Sequence, residues 1–92
     1  MNKKELLAFI KENKKEIASE LDCKKLVGIK IDDLGDVGCE GVYEDEYGDE
    51  MEEGIAFRLP KDVDDEFYGE DGEEPDEMEI NGVKISYIRY NI

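Results

Sequence analysis

Met78-Glu79-Ile80-Asn81-Gly82-Val83-Lys84-Ile85 decides the fold. Asn-Gly between two alternating apolar runs is the strongest short-range hairpin signal, because both residues tolerate the positive φ angles of a type I′ turn. The C-terminal part of the chain is therefore antiparallel sheet, with residues 83 to 91 as its longest strand. The apolar alternation there changes phase between Ile85 and Ile88, which implies a bulge or a central strand with apolar contacts on both faces.

Working backwards, Ile55, Phe57 and Leu59 alternate with Ala56 and Arg58 as another strand, stopped by Pro60. Val27, Ile29 and Ile31 alternate likewise. The turn chemistry of Asp32-Asp33-Leu34-Gly35-Asp36 then leads into a Gly-interrupted strand from Val37 to Glu44. Before these the period is 3.6. Asn2 with Glu5 fits a capping box, and Leu6, Ile10, Ile17 and Leu21 form one stripe, predicting a helix over residues 3–22. The expected fold is α+β: one N-terminal amphipathic helix packed on a small, mainly antiparallel sheet of four to five strands. Residues 1–92 form a single acidic domain whose core uses Leu6, Ile10, Ile17, Leu21, Ile29, Ile31, Phe57, Leu59, Val83 and Ile85.

Ninety-two residues allow one modest core and no interdomain cleft. Leu, Ile, Val and Phe make up 25% of the chain, enough for folding. The core is small and the net charge of −15 is self-repelling, so a partner or a homodimer would add stability. The apolar stretch Leu6–Ile10 is stopped by Lys11, too short for a signal sequence or a membrane span, which predicts a cytoplasmic protein without membrane association. Cys23 and Cys39 form no CxxC pair and the chain has no His, so two reduced thiols are expected and neither a metal site nor a cofactor.

The charge is unevenly laid. Residues 1–31 carry +3, residues 32–82 carry −20 and residues 83–92 carry +2. Direct binding to nucleic acid or an anionic membrane is thereby excluded. The acids fall in two segments, 44–53 and 62–79, whose composition reads as loops. Carboxylates in such runs stay solvated and make poor general acids, and the two serines have no His to activate them, so no enzyme is expected. Asp62 to Glu73 nearly fits a twelve-position calcium loop, but Phe67 stands where the sharp turn requires Gly.

What remains is electrostatic recognition. An extended chain rises about 3.3 Å per residue and a DNA strand about 3.4 Å per phosphate, so a carboxylate-rich segment approximates the charge density of one strand. The residues expected to meet a partner are Glu44, Asp45, Glu46, Asp49, Glu50, Glu52 and Glu53 in the first segment and Asp64, Asp65, Glu66, Glu70 and Asp71 in the second. Tyr47 and Tyr68 serve as anchors. The expected partner is a basic protein, such as a nucleic-acid-binding protein or a nuclease. In size and charge pattern the chain resembles the acidic DNA-mimic proteins that phages use against restriction or CRISPR effectors. That resemblance implies an inhibitor that occupies a nucleic-acid site. The alternatives are an immunity or antitoxin protein neutralising a cationic toxin, and an acidic adaptor without mimicry.

Overall fold

The computed structural model describes residues 1–69 and 72–90. Two helices, α1 (Lys3–Glu12) and α2 (Lys14–Glu20), pack on one face of a five-stranded antiparallel sheet. Its strands are β1 (Lys25–Ile31), β2 (Val37–Glu44), β3 (Glu50–Arg58), β4 (Asp76–Ile80) and β5 (Val83–Tyr90), in the order β1-β2-β3-β5-β4. The expected α+β architecture is present. Among the described residues β3, with nine, is longer than β5, with eight; residue 91 of the strand expected over 83 to 91 lies outside them.

The capping box forms as its residues dictate. The Asn2 side chain accepts a bond from the Glu5 amide at 2.9 Å, and the Asn2 amide donates to the Glu5 carboxylate at 3.0 Å. The single helix expected over 3–22 is instead broken at Asn13, which lies at φ −111°, ψ 22°. The Asn13 side-chain amide donates to the Phe9 carbonyl at 2.8 Å, competing with the backbone for the same acceptor. Its Oδ1 accepts from the Asn81 side chain at 2.6 Å, so the β4–β5 turn grips the break. That turn has the expected geometry, with Asn81 at φ 48° and Gly82 at φ 82°. The second helix closes on left-handed Asp22, with the Cys23 amide reaching back to Ala18 O and the Asp22 amide to Ser19 O.

The core lies between the helices and the facing side of the sheet. Leu6, Ile10, Ile17, Leu21, Phe57, Leu59 and Ile85 are buried as expected, but Ile29 and Val83 are half-buried and Ile31 is exposed. Gly28, at φ 64°, sits in a bulge that shifts the β1–β2 register between Val27 and Lys30, so that Leu26, opposite Gly41, and Ile31, opposite Val37, share the core-facing side; Leu26 is buried there, whereas Ile31, the last residue of the strand, is exposed. Val37, Cys39, Ile55, Met78 and Ile80 complete the core. On β5 the phase change reflects burial on both faces: Ile85 faces the helices, while Ile88 sits opposite Ala56 on the other side, with no break in the β3–β5 register.

Gly41 shows how tightly the helix side is filled. A Cβ there would lie 2.8 Å from Cys23 Sγ and 2.9 Å from Ile55 Cδ1. Gly41→Ala is expected to destabilise the fold by about 1–3 kcal/mol through overpacking, measured by urea unfolding, with Cys23→Ala relieving part of that loss in the double variant.

On the opposite face the described residues between β3 and β4, 59–69 and 72–75, form a crossover that begins with a 3-10 turn, Pro60–Asp62. Phe67 anchors this crossover. It is 2% exposed and carries the Arg58 guanidinium 4.4 Å above its ring, outside the helix-side core. Arg58 in turn donates to the buried Asp36 carboxylate at 2.6 Å and pairs with Asp64 at 3.1 Å.

Candidate functional site

Of the two acidic segments expected to be loops, the second is irregular over its described residues 63–69 and 73–75 and enters β4 only at Asp76, but the first is not a loop. It is a β-hairpin. β1 pairs with β2 only up to Lys25 opposite Val42, and β5 with β3 only as far as Tyr90 opposite Gly54. Beyond those points β2 and β3 continue as a two-stranded ribbon with no sheet neighbour among the described residues. The register sets Glu44 opposite Glu50 and Val42 opposite Glu52, so Glu44, Glu50 and Glu52 share one face. Tyr43, Met51 and Glu53 lie on the other.

The ribbon's turn is fixed by its own side chain. Asp45 Oδ1 accepts from the Tyr47 and Asp49 amides, both at 2.9 Å, and Gly48 adopts φ 81°. The β1–β2 turn uses the same device: Asp32 Oδ1 accepts from the Leu34 and Asp36 amides at 3.0 and 2.9 Å, with Gly35 at φ 81°. The shared pattern, Asp-x-Leu/Tyr-Gly-Asp at residues 32–36 and 45–49, is a signal in the sequence that composition alone hides. It places one apolar or aromatic side chain at each tip, Leu34 and Tyr47, both 82% exposed.

Of the first-segment residues, Asp45 is thus engaged in its turn. Glu44 and Glu50 flank Lys24, whose ammonium lies 3.7 and 3.0 Å from their carboxylates. The hydrogen bond and charge of Lys24 hold the Glu50 carboxyl below its ordinary range, and Glu50 in turn raises Lys24. This lysine offsets the repulsion of two glutamates set directly opposite one another. Glu46, Asp49 and Glu52 are exposed and enter no ion pair among the described residues. Glu53 turns to the other face, 3.9 Å from Arg89.

Arg89 braces the ribbon's root. It donates to the Leu21 carbonyl at 3.2 Å and lies 5.8 Å above the Tyr43 ring. The Tyr43 hydroxyl is buried with no hydrogen-bond partner of good geometry among the described residues, and burial raises its pKa. Desolvation also pushes the neighbouring Cys23 thiol up and Cys39 up to about 12. At pH 8 a thiol with that pKa is ionised to about one part in ten thousand. Cys39 is therefore expected to resist alkylation until the protein is unfolded, checked by mass spectrometry with and without denaturant. Rapid labelling of Cys39 in the native protein would contradict this packing.

The second segment lies elsewhere. Asp64 accepts from the Glu66 amide at 3.0 Å and pairs with Arg58, and both contacts lower its pKa. Arg58 ends β3, whereas the ribbon's turn begins it. At about 3.3 Å per residue these points are some 26 Å apart, so the two segments are not joined into one face. Asp65 and Glu66 are exposed and Tyr68 is 55% exposed. Glu70 and Asp71 lie outside the described residues. Downstream, residues 76–79 belong to β4. Among the described residues no group of three or more His, Cys, Asp or Glu is arranged to hold a metal ion, and no helix is long and apolar enough to cross a membrane.

Fold and surface together define a small α+β protein with a projecting acidic β-ribbon. No protein-family model matches the chain, and neither does any curated protein or solved structure.

Proposed function

We propose that the chain is a non-catalytic intracellular inhibitor that inserts its acidic β2–β3 ribbon into the nucleic-acid groove of a basic protein. The observation that carries this reading is the ribbon itself. Glu46, Asp49 and Glu52 are exposed on it without an ion pair among the described residues, Glu44 and Glu50 flank Lys24 on the same ribbon, and Tyr47 is exposed on a turn held by the Asp45 carboxylate. Glu50 and Glu52, two residues apart on one face, are spaced by about 6.6 Å, close to twice the rise per phosphate along a DNA strand. Tyr47 offers an aromatic face where a base would stack. A turn already closed in the free chain lowers the ordering cost of binding. The likeness in size and charge pattern to phage DNA-mimic proteins supports the same reading.

The test is displacement. Proteins retained on the immobilised chain at about 50 mM salt are expected to be released by duplex DNA or structured RNA at unchanged ionic strength, because one groove cannot hold both. Retention that nucleic acid leaves untouched, while added salt removes it, would show a partner bound outside its nucleic-acid site and overturn the mimic reading.

A further inference from the structure

The sheet has a step in its outline. β1 is an edge strand, paired with β2 alone among the described residues, and β2 runs on past Lys25 without a strand at its side. Such edges present unpaired backbone N–H and C=O groups on which another strand can add. The bulge at Gly28 limits the regular edge of β1 to Lys25–Val27, and the open edge of β2 is Tyr43–Asp45, up to the turn that Asp45 closes. Each is three residues, about 10 Å long.

The two edges are opposite in charge. Two adjoining clefts of about 450 and 560 Å³ lie between the helices and β1, over buried Leu26 and half-buried Val27, and no carboxylate lines either. Lys11, Lys14, Lys15 and Lys25 rim them and enter no ion pair among the described residues, although the chain carries a net charge of −15. The ribbon supplies the complement, since Glu46 and Asp49 are exposed and equally unpaired beside Tyr47. A lysine at a sheet edge ordinarily keeps apolar strands from adding there, but it favours a strand that brings carboxylates. The molecule already makes one such contact within itself, where Lys24 at the end of the cleft holds Glu44 and Glu50.

We infer that two copies of the chain associate at this step, each laying its acidic ribbon along the β1 edge and lysine rim of the other. In one copy β1 and the ribbon extend in opposite directions from the pair Lys25 and Val42. A half-turn about an axis through that point, normal to the sheet, therefore sets each ribbon beside the other copy's β1. Both contacts form at once and the assembly closes as a dimer. At about 0.15 M salt the Debye length is about 8 Å, so distant carboxylates are screened while the contacting charges are not. The shared edge is short, which makes the dimer a weak one. It covers the ribbon and so competes with any basic partner, but it does not rest on the inhibitor reading, because the chain alone is enough to test it.

Sedimentation equilibrium of the full chain at about 0.15 M salt, from about 5 μM to 1 mM, is expected to show the 10.5 kDa monomer giving way to a species of twice that mass, with a dissociation constant on the order of 100 μM. Two charge-reversed variants locate the contact: Lys14→Glu with Lys15→Glu on the rim, and Glu46→Lys with Asp49→Lys on the ribbon. All four side chains are exposed and outside any ion pair among the described residues, so both variants keep the fold, verified by unchanged thermal unfolding. Each variant alone is expected to dimerise at least about tenfold more weakly, because its own ribbon and rim now repel. An equimolar mixture should recover the wild-type affinity, since the lysine ribbon meets the glutamate rim and the glutamate ribbon meets the lysine rim in the same closed pair. A wild-type chain that stays monomeric to about 1 mM, a ribbon variant that associates more strongly than wild type because its net charge is less negative, or a mixture no tighter than its components would overturn the inference.

Discussion

Replacing Glu46, Asp49 and Glu52 together by lysine is expected to reduce binding to a basic partner by more than about a hundredfold. Each reversal changes the local charge by two, at positions that carry no internal ion pair, so the ribbon meets a cationic groove with repulsion where it had attraction. Loss of retention on the partner at low salt is the readout. The informative control is Glu12, Glu16 and Glu20 to lysine. These glutamates are exposed on the helices, and the change in net charge is the same. If binding depends only on total charge, both triples weaken it equally; if the ribbon is the contact, the helix triple retains the partner. Equal loss would remove the ribbon from the mechanism.

Asp36→Ala is expected to lower the stability of the fold by about 3 kcal/mol, or more than about 10 °C in Tm for a domain of this size. Asp36 is 3% exposed and takes both the 2.6 Å bond from Arg58 Nε and a longer one from Nη2. Without it the guanidinium, itself 16% exposed, keeps only Asp64 and the Asp62 carbonyl. The loss extends beyond the pair. Arg58 covers Phe67, and Phe67 pins the crossover to the sheet, so the variant should also loosen residues 60–69. Amide exchange in that stretch should rise before global unfolding. Adding Arg58→Met is expected to restore part of the stability, since an apolar side chain of similar length leaves no unpaired charge. A double variant as unstable as the sum of the singles would show that the pair itself contributes nothing.

Local chemistry was the part of this molecule readable in advance. The Asn2–Glu5 capping box and the Asn81-Gly82 turn depend on residues within a few positions of one another, and each is where the sequence places it, while the strand read at Ile55–Leu59 is the C-terminal part of a longer one, Glu50–Arg58. The failures are long-range or one residue deep. Asn13 breaks the helix partly through Asn81, sixty-eight positions away, which no helical periodicity can reveal. The bulge at Gly28 interrupts the alternation of β1, so Leu26, which strict alternation leaves out of the core, shares the core-facing side with Ile31 and is buried. Composition made the acidic segments loops, but pairing with β2 and a turn closed by Asp45 hold Glu50–Glu53 in a strand. The candidate residues divide accordingly. Glu46, Tyr47, Asp49 and Glu52 are displayed as expected, whereas Asp45 and Asp64 serve their own turns and Phe67, whose ring could have stacked on a partner, is buried under Arg58. Arg58, Asp36 and Arg89, the residues that set this geometry, carry no local signal because their partners lie far along the chain.

The pre-formed ribbon is the claim on which the rest stands, and backbone ¹⁵N relaxation of the free protein tests it most directly. The amides of Tyr47 and Asp49, held by Asp45, are predicted to show order parameters close to about 0.85, as in the strands behind them. Values below about 0.6 across residues 45–49 would mean that the carboxylates are presented by a disordered tip, and a phosphate-like face could not be maintained.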